Sequence, residues 1–197
     1  MKPKLLLIGG GGHCASCIDV IEQEGKFEIA GIIDKGIAGG SLLGYPVQGN
    51  DDNLLELRSS FDYVLITIGQ IKSPSIRIKL FELAKSHGYI LPTVVSPRAY
   101  VSKHALIGEG TIIMHDVLVN SRAAIGRNCI INTKALVEHD AVIGDNCHVS
   151  TAAVINGGTI VRNGTFIGSN TVSIEYVETG ENDFIKAGSL FKGYVND

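Results

Sequence analysis

The chain has 197 residues, a hydrophobic content of 45% and a net charge of −3, which allow one large or two small folded domains and exclude a disordered chain. Weak acidity and the absence of a basic run argue against nucleic acid as a partner. The apolar run at 5–8 is too short for a signal peptide or a membrane span, so we expect a cytoplasmic protein with no membrane segment.

The first part of the chain has the element order of a nucleotide-binding α/β unit. It predicts a buried strand at 4–8, a glycine loop, a helix at 14–24 and a strand at 27–33. Glycines at such a turn let the backbone approach a phosphate, which the helix start can bind. Because Cys14 replaces the last glycine of the dinucleotide motif, the unit predicts nucleotide binding and not hydride transfer. The alternative is a glycine loop that only turns the chain.

The rest of this unit is predicted to alternate between helix and strand. Its predicted elements are a glycine-rich connection at 37–49, a helix at 51–60, a strand at 63–68 and a helix at 73–87. Gly69 follows a strand at a position that usually faces a ligand. On the last helix we expect Ile76 to face inward, and Arg77 either to reach a phosphate or to lie on the surface.

Residues 105–170 repeat with a period of six. They divide into eleven hexads with Ile or Val at the third place and a small or β-branched residue at the first. A short strand and a turn fit this period, so three hexads form one eighteen-residue coil of a parallel β-helix. Glycine at the fourth place is favoured either by positive φ or by close stacking of coils. The apolar pattern weakens after residue 167, which predicts a looser last coil.

Two histidines share the fifth hexad place, His115 and His139, and their spacing of 24 residues puts them on different edges of the prism. Asp140 follows His139, and a carboxylate can fix a histidine tautomer and make it a better base. Neither a nucleophile motif nor a metal ligand set is present. A base without a nucleophile fits direct transfer of an activated acyl group to an amine or hydroxyl, and the alternative is a solvated surface histidine.

The four cysteines are interpreted as packing residues. Cys14 and Cys17 are separated by two residues, and no second such pair completes a zinc site. Cys129 and Cys147 occupy the first hexad place eighteen residues apart, so we expect them to stack inside the prism.

The whole chain resembles the bacterial family of sialic-acid O-acetyltransferases and UDP-4-amino-sugar N-acetyltransferases. The resemblance rests on IGGGGHC at 8–14, IID at 32–34, TIG at 67–69 and NTKALVEHDAVIGDNCHVS at 132–150. It implies a Rossmann-like nucleotide-sugar-binding α/β domain at 1–93 and an acetyl-CoA-binding left-handed parallel β-helix at 94–197. It further implies N-acetylation of a UDP- or dTDP-linked 4-amino-deoxy sugar for surface glycan synthesis, by a homotrimer with active sites between subunits.

The same resemblance implies the site residues. His139 would be the general base and Asp140 would raise its basicity. The implied nucleotide-sugar residues are Gly11, Gly12, His13, Asp34, Lys35, Gly69 and Asn132. The implied acetyl-CoA residues are His148, Ser169 and Ala187, and no metal is implied. Because the family's usual VxGxPA ending is replaced by FKGYVND, we expect the adenine end of CoA to be held differently.

Two other functions remain open from the sequence. One is an O-acetyltransferase acting on a sialic-acid-type sugar, and the other is a non-catalytic solenoid that binds a nucleotide sugar. The presence of both the glycine loop and the Glu138-His139-Asp140 segment favours catalysis over the second.

Overall fold

The structure, a computed structural model, describes residues 1–36 and 39–194. Residues 37 and 38 of the predicted connection and 195–197 of the C-terminal segment lie outside the described residues. The chain forms an α/β unit followed by a parallel β-helix, as predicted. Within the described residues, the helices are all too short or too polar to cross a membrane.

The N-terminal unit is a five-stranded sheet with helices packed against it. Its elements are β1 (Lys4–Ile8), α1 (Gly12–Glu24), β2 (Glu28–Ile33), β3 (Ser41–Leu42), β4 (Tyr45–Gly49), α2 (Leu54–Leu57), β5 (Tyr63–Ile66) and α3 (Ser75–Ser86). The strand order is β3-β4-β2-β1-β5, and every pairing is parallel except that of β3 with β4. The apolar sequence of β1 reflects its central place, since a parallel strand is buried on both faces.

Two predictions for this unit are wrong in detail. The connection predicted at 37–49 contains β3 and β4. The helix predicted at 51–60 is a 3₁₀ turn (Asp51–Asn53) followed by the short α2, and the side chain of Asn50 caps the turn by accepting a hydrogen bond from the Asp52 N–H.

Within the described residues, the β-helix is built from strands of two residues each. These are β6 (Val94–Val95), β7 (Tyr100–Val101), β8 (Leu106–Ile107), β9 (Ile112–Ile113), β10 (Leu118–Val119), β11 (Ala124–Ile125), β12 (Ile130–Ile131), β13 (Leu136–Val137), β14 (Val142–Ile143), β15 (His148–Val149), β16 (Val154–Ile155), β17 (Ile160–Val161), β18 (Phe166–Ile167), β19 (Val172–Ser173), β20 (Phe184–Ile185) and β21 (Leu190–Phe191). We propose the domain division between residues 93 and 94, because β6 pairs with β9 of the β-helix.

The strands form the three faces of a prism. The first face contains β6, β9, β12, β15, β18 and β20, the second contains β7, β10, β13, β16, β19 and β21, and the third contains β8, β11, β14 and β17. Neighbouring strands pair at residues eighteen apart, as Leu118 does with Leu136. We call the corner between the first and second faces the first corner, and the corner between the second and third faces the second corner.

The backbone repeats at the sixth hexad place, where the chain turns each corner. Residues at this place have positive φ whether or not they are glycine, with 60° at Arg122 and 61° at Asp140. Glycine is required at the fourth place by the close stacking of coils and not by positive φ. A Cβ at Gly126 would lie 2.7 Å from the carbonyl carbon of Gly144 on the next coil. Each corner therefore places sixth-place side chains in a column with a repeat of one coil.

The last coils keep this backbone phase although their apolar pattern is weaker. Ser173 and Thr179 occupy inward third places and are buried. Their hydroxyl oxygens accept hydrogen bonds from the N–H groups of Asn156 and Arg162, both at 2.9 Å. Inward polar side chains are tolerated here because each has a backbone partner.

Arg77 joins the α/β unit to the β-helix. It is 1% exposed, and its guanidinium donates to the carbonyl oxygens of Ile66 (3.0 Å) and Ile68 (2.6 Å), and to the carbonyl oxygen (3.0 Å) and Oδ1 (2.8 Å) of Asn128. Burial lowers the pKa of Arg77 to about 10, which leaves it charged at neutral pH. Both predicted positions for Arg77 are therefore wrong, and Ile76 is exposed because Arg77 takes the inward position.

A second set of contacts holds the loop after β5 on the β-helix. The Gln70 side chain donates through Nε2 to the main-chain carbonyl oxygens of Asn146 (3.0 Å) and Gly164 (3.2 Å). The main-chain carbonyl oxygen of Gln70 accepts from Nδ1 of His148 (2.6 Å). The Asn132 amide lies 3.1 Å from Nε2 of His148 and donates to it, so both ring nitrogens are used. Burial lowers the pKa of His148 to about 4. The ring is therefore neutral and fixes the loop against the first face.

We expect Arg77→Met to lower the free energy of unfolding by about 3 kcal/mol, because buried carbonyl oxygens lose a charged donor. Denaturant unfolding followed by circular dichroism measures this change. Lys79→Met, at an exposed position of the same helix, is the control and should stay within about 0.5 kcal/mol of the wild type. A loss below about 1 kcal/mol for Arg77→Met would contradict this account of the interface.

Candidate active site

A groove opens at the carboxyl ends of the parallel strands of the α/β unit. One cavity of about 370 Å³ is lined by Gly9, Gly10, Gly11, Gly12, His13, Asp34, Thr67, Ile68 and Gly69. A second cavity of about 200 Å³ shares part of this lining and adds Lys35 and Asp51. The predicted nucleotide-sugar residues therefore lie together at this groove, with the exception of Asn132.

The glycine loop leaves open space at the start of α1. Gly11 precedes the helix and Gly12 is its first residue. A Cβ on either residue would meet no heavy atom within 4 Å, so packing does not require glycine at these two places. Gly9 differs, since its φ is +106° and a Cβ there would clash with Ile68. The N–H groups at a helix start bind anions, and the open glycines give a phosphate direct access to them.

The Asp34 carboxylate holds the shape of this loop. Its Oδ2 accepts from the Gly10 N–H at 2.7 Å, and its Oδ1 accepts from the Gly36 N–H at 2.6 Å. Lys35 lies beside it with its Nζ 3.7 Å from Oδ2 of Asp51. Asp34 thus has a structural task in addition to the ligand contact predicted for it.

The His13 ring belongs to the groove wall and is neutral. Its Nε2 lies 3.5 Å from Sγ of Cys17, and its side chain borders Gly69. Burial lowers the pKa of His13 to about 3, with further contributions from Arg77 and His148. A neutral imidazole can donate one hydrogen bond and accept another without adding charge to the groove.

The cysteines are free and buried, as the packing interpretation expects. Burial raises the pKa of the Cys14 and Cys17 thiols, which makes them poor nucleophiles. Cys129 and Cys147 stack inside the prism, with the Cys147 N–H 3.4 Å from Sγ of Cys129. Over residues 1–36 and 39–194, no group of three or more His, Cys, Asp or Glu side chains is placed to hold a metal ion.

His139, Asp140 and Arg122 form a hydrogen-bonded chain at the second corner. The His139 Nδ1 lies 2.8 Å from Oδ2 of Asp140, and the histidine side chain is 50% exposed. Arg122 donates to both oxygens of Asp140, with Nε 2.6 Å from Oδ1 and Nη2 2.7 Å from Oδ2. The Arg122 contact, followed by that of His139, lowers the pKa of Asp140. The ionised carboxylate fixes the His139 proton on Nδ1, so Nε2 carries a free lone pair.

Gly157 lies directly beneath the His139 ring. A Cβ at this residue would lie 2.8 Å from Cε1 and 3.0 Å from Nε2 of His139, so a side chain there would displace the ring. Gly157 follows His139 by eighteen residues, and Arg122 precedes Asp140 by the same number. Neither residue was predicted as part of the site, although the spacing of one coil would have identified both.

His115 occupies the hexad place of His139 at the first corner but has a different environment. Its Nδ1 contacts Oγ of Ser96 and its Nε2 contacts Oδ2 of Asp19, both at 2.6 Å. Its side chain is only 13% exposed. His115 therefore uses both nitrogens, Nδ1 within the β-helix and Nε2 to join the β-helix to α1, whereas Nε2 of His139 has no partner among the described residues.

The predicted acetyl-CoA residues do not lie beside His139 in the same chain. Ser169 and Ala187 follow β18 and β20 at the first corner, on consecutive coils. His148 is buried on the first face, where it contacts Asn132, also at the first corner. The site residues of one chain are thus divided between the two corners.

Comparison with known proteins places this architecture in a family. Residues 4–83 match the family model of the PglD N-terminal domain. No curated protein matches the chain. Among solved structures, a mutant of perosamine N-acetyltransferase from Caulobacter crescentus in complex with CoA and GDP-perosamine is 32% identical, with 96% of this chain and 89% of that chain covered and a TM-score of 0.91.

A second solved relative is the acetyltransferase domain of PglB from Neisseria gonorrhoeae FA1090. It is 28% identical, with 100% of this chain and 94% of that chain covered and a TM-score of 0.91. The same domain in complex with acetyl coenzyme A is 28% identical, with 95% and 90% covered and a TM-score of 0.89. These similarities confirm the predicted fold class, enzyme class and acetyl-CoA co-substrate. The chain therefore belongs to the hexapeptide-repeat, left-handed β-helix family of acetyl-CoA-dependent sugar N-acetyltransferases.

Proposed function

We propose that this protein transfers the acetyl group of acetyl-CoA to the amino group of a nucleotide-linked 4-amino-deoxy sugar used in surface glycan synthesis, with His139 as the general base. The observation that carries the proposal is the half-exposed His139 ring, whose Nδ1 is held by Asp140 and whose Nε2 has no partner among the described residues. The solved relative bound to GDP-perosamine supports an amino-sugar substrate and adds GDP to UDP and dTDP as candidate nucleotides.

His139 accepts the proton that the attacking amine must lose. As the amine nitrogen attacks the thioester carbonyl, a C–N bond forms, the C–S bond breaks and the amine proton passes to Nε2 of His139. The sulfur leaves as a thiolate and takes up the proton that His139 accepted, which restores the neutral imidazole. Asp140 stabilises the imidazolium during this transfer, and a base in this role typically contributes roughly 10²–10⁴ in rate.

The groove of the α/β unit suits a nucleoside diphosphate. A Cβ at Gly11 or Gly12 would meet open space, so phosphate oxygens have room to approach the start of α1. Asp34 and Lys35 extend the same groove and are proposed to contact the ribose or the base. Gly69 lines the same cavity and, because it has no side chain, leaves space beside His13.

The division of the site between two corners supports an active site shared by two subunits. One side of the prism separates His139 from Asn132 on the same coil, and Ser169 lies at the first corner two coils further along. We propose that the groove of one subunit, with His148, Ser169 and Ala187 bordering acetyl-CoA, meets His139 of a neighbour. Closed rings of identical subunits bring different corners together in this way.

The outer apolar residues of the β-helix support a homotrimer. Exposed apolar side chains of the second and third faces are Tyr100, Leu106, Leu118, Val142, Val172 and Leu190. The first face carries the α/β unit, so these rows lie on the two remaining faces. Rows of this kind mark protein contacts, and we propose that adjacent copies cover them.

We expect His139→Ala to lower kcat/KM for acetyl transfer by roughly a hundredfold or more, because the reaction loses its general base. Thiol release from acetyl-CoA measures the rate. His115→Ala is the matched control, since it removes a histidine at the same hexad place whose nitrogens are both used in packing. It should keep near-wild-type activity. A loss below roughly tenfold for His139→Ala would be too small for a general base.

The acceptor is tested with a panel of UDP-, dTDP- and GDP-linked 4-amino sugars beside free and CMP-linked sialic acid. We expect thiol release with at least one nucleotide-linked amino sugar, because the groove is built for a nucleotide. Release with sialic acid alone would replace N-acetylation by O-acetylation. Thermal stabilisation by a nucleotide sugar without any thiol release would identify a binding protein instead.

Mixed oligomers test the shared site. Gly12→Phe fills the groove, since a side chain there starts in open space, and His139→Ala removes the base. Each variant alone should be inactive, but their co-expression should restore about a quarter of wild-type activity when intact halves meet in one ring. Failure to restore activity in a verified mixed oligomer would show that each site lies within one chain.

A further inference from the structure

The Arg122 side chain lies behind the proposed base and has no role in the mechanism above. Arg122 and Asp140 occupy the same hexad place on consecutive coils, and both have left-handed backbone conformation. The guanidinium therefore meets the carboxylate as a fork, at 2.6 Å and 2.7 Å. Oδ2 of Asp140 is shared between Arg122 and Nδ1 of His139.

Resting on the proposed role of His139 as the base, we propose that Arg122 is a positioning residue that locks the Asp140 carboxylate against the His139 ring. Two parallel contacts prevent rotation of the carboxylate, so Oδ2 stays on Nδ1 of His139. Gly157 has no side chain that could support the His139 ring from below. The contact of Nδ1 with the Asp140 carboxylate therefore fixes the direction of the ring.

The charged groups near His139 identify Arg122 as the group that holds Asp140. The Glu138 carboxylate accepts a hydrogen bond from the side-chain amide of Asn120 at 2.8 Å and another from the main-chain N–H of His139 at 3.1 Å. Asp140 is the other carboxylate of this coil, and the preceding coil supplies Arg122 as the cation. The corner of the following coil consists of Asn156, Gly157 and Gly158, none of which ionises.

Without Arg122, the Asp140 carboxylate would keep only its contact with Nδ1 of His139 and could rotate. The imidazole ring could then turn with it. Arg122 therefore keeps Nε2 of His139 pointing in one direction.

The test compares Arg122→Met with Arg122→Lys. The tautomer of the His139 ring is read by ¹⁵N NMR in histidine-labelled protein, with the signal assigned by its loss in His139→Asn, and kcat and KM are measured separately. For Arg122→Met we expect the Nδ1–H tautomer to give way to a mixture of the two neutral tautomers, because the carboxylate is no longer held on Nδ1. The kcat should fall about tenfold while KM stays within about twofold, because the ring is misdirected and the groove is intact.

Arg122→Lys tests the fork itself, since lysine keeps the charge but cannot make both contacts. It should show the same mixture of tautomers and a reduced kcat. Arg98→Met is the matched control, because Arg98 forks onto Asp116 at the first corner in the same way, with a shortest contact of 2.7 Å. It should change neither quantity.

An unchanged His139 tautomer and kcat in Arg122→Met would overturn this inference and leave the proposed function intact, provided that His139→Ala is inactive. If Arg122→Met does not fold, a wild-type kcat in Arg122→Lys would overturn it equally. An active His139→Ala would instead reject the proposed function itself, and this inference with it.

Discussion

The stacking of one coil on the next at a repeat of eighteen residues is the constraint on which this structure depends. It aligns the strand pairs of each face, as in the pairing of Leu118 with Leu136. It also aligns the corners, where side chains eighteen residues apart become neighbours. Arg122 reaches Asp140, and Gly157 lies beneath His139, for this one reason. A catalytic group on such a corner is held by its column and not by a loop.

The α/β unit is fixed to this column by buried polar contacts. Arg77 and Gln70 both donate to carbonyl oxygens of the β-helix, and His148 donates to a carbonyl oxygen of the α/β unit. These buried hydrogen bonds fix one arrangement of the interface, although Oε1 of Gln70 and Nε of Arg77 have no partner among the described residues. The groove is thereby set on the first face, away from the corner that carries His139. Neighbouring subunits are the physical means by which the two could meet.

The sequence predicts the repeating parts of this molecule well, because each inward Ile or Val reports the same environment. It also predicts the groove, since glycines before a helix have few other uses. The inward position of Arg77 could not be predicted from the sequence. A charged residue on a helix is normally exposed, and some of its acceptors come from a distant coil of the β-helix. The left-handed corners were hidden for a similar reason, as Arg122 and Asp140 occupy them in place of glycine.

The central claim is that His139 of one subunit takes the amine proton of a sugar bound by another. A crystal structure of the His139→Asn protein with CoA and a nucleotide-linked amino sugar measures this most directly. The account predicts that the sugar amine lies about 3 Å from the substituted side chain at position 139 of a neighbouring subunit, with the diphosphate at the glycine loop. An amine directed at the same chain, or lying more than about 8 Å from position 139 of every subunit, would contradict the account.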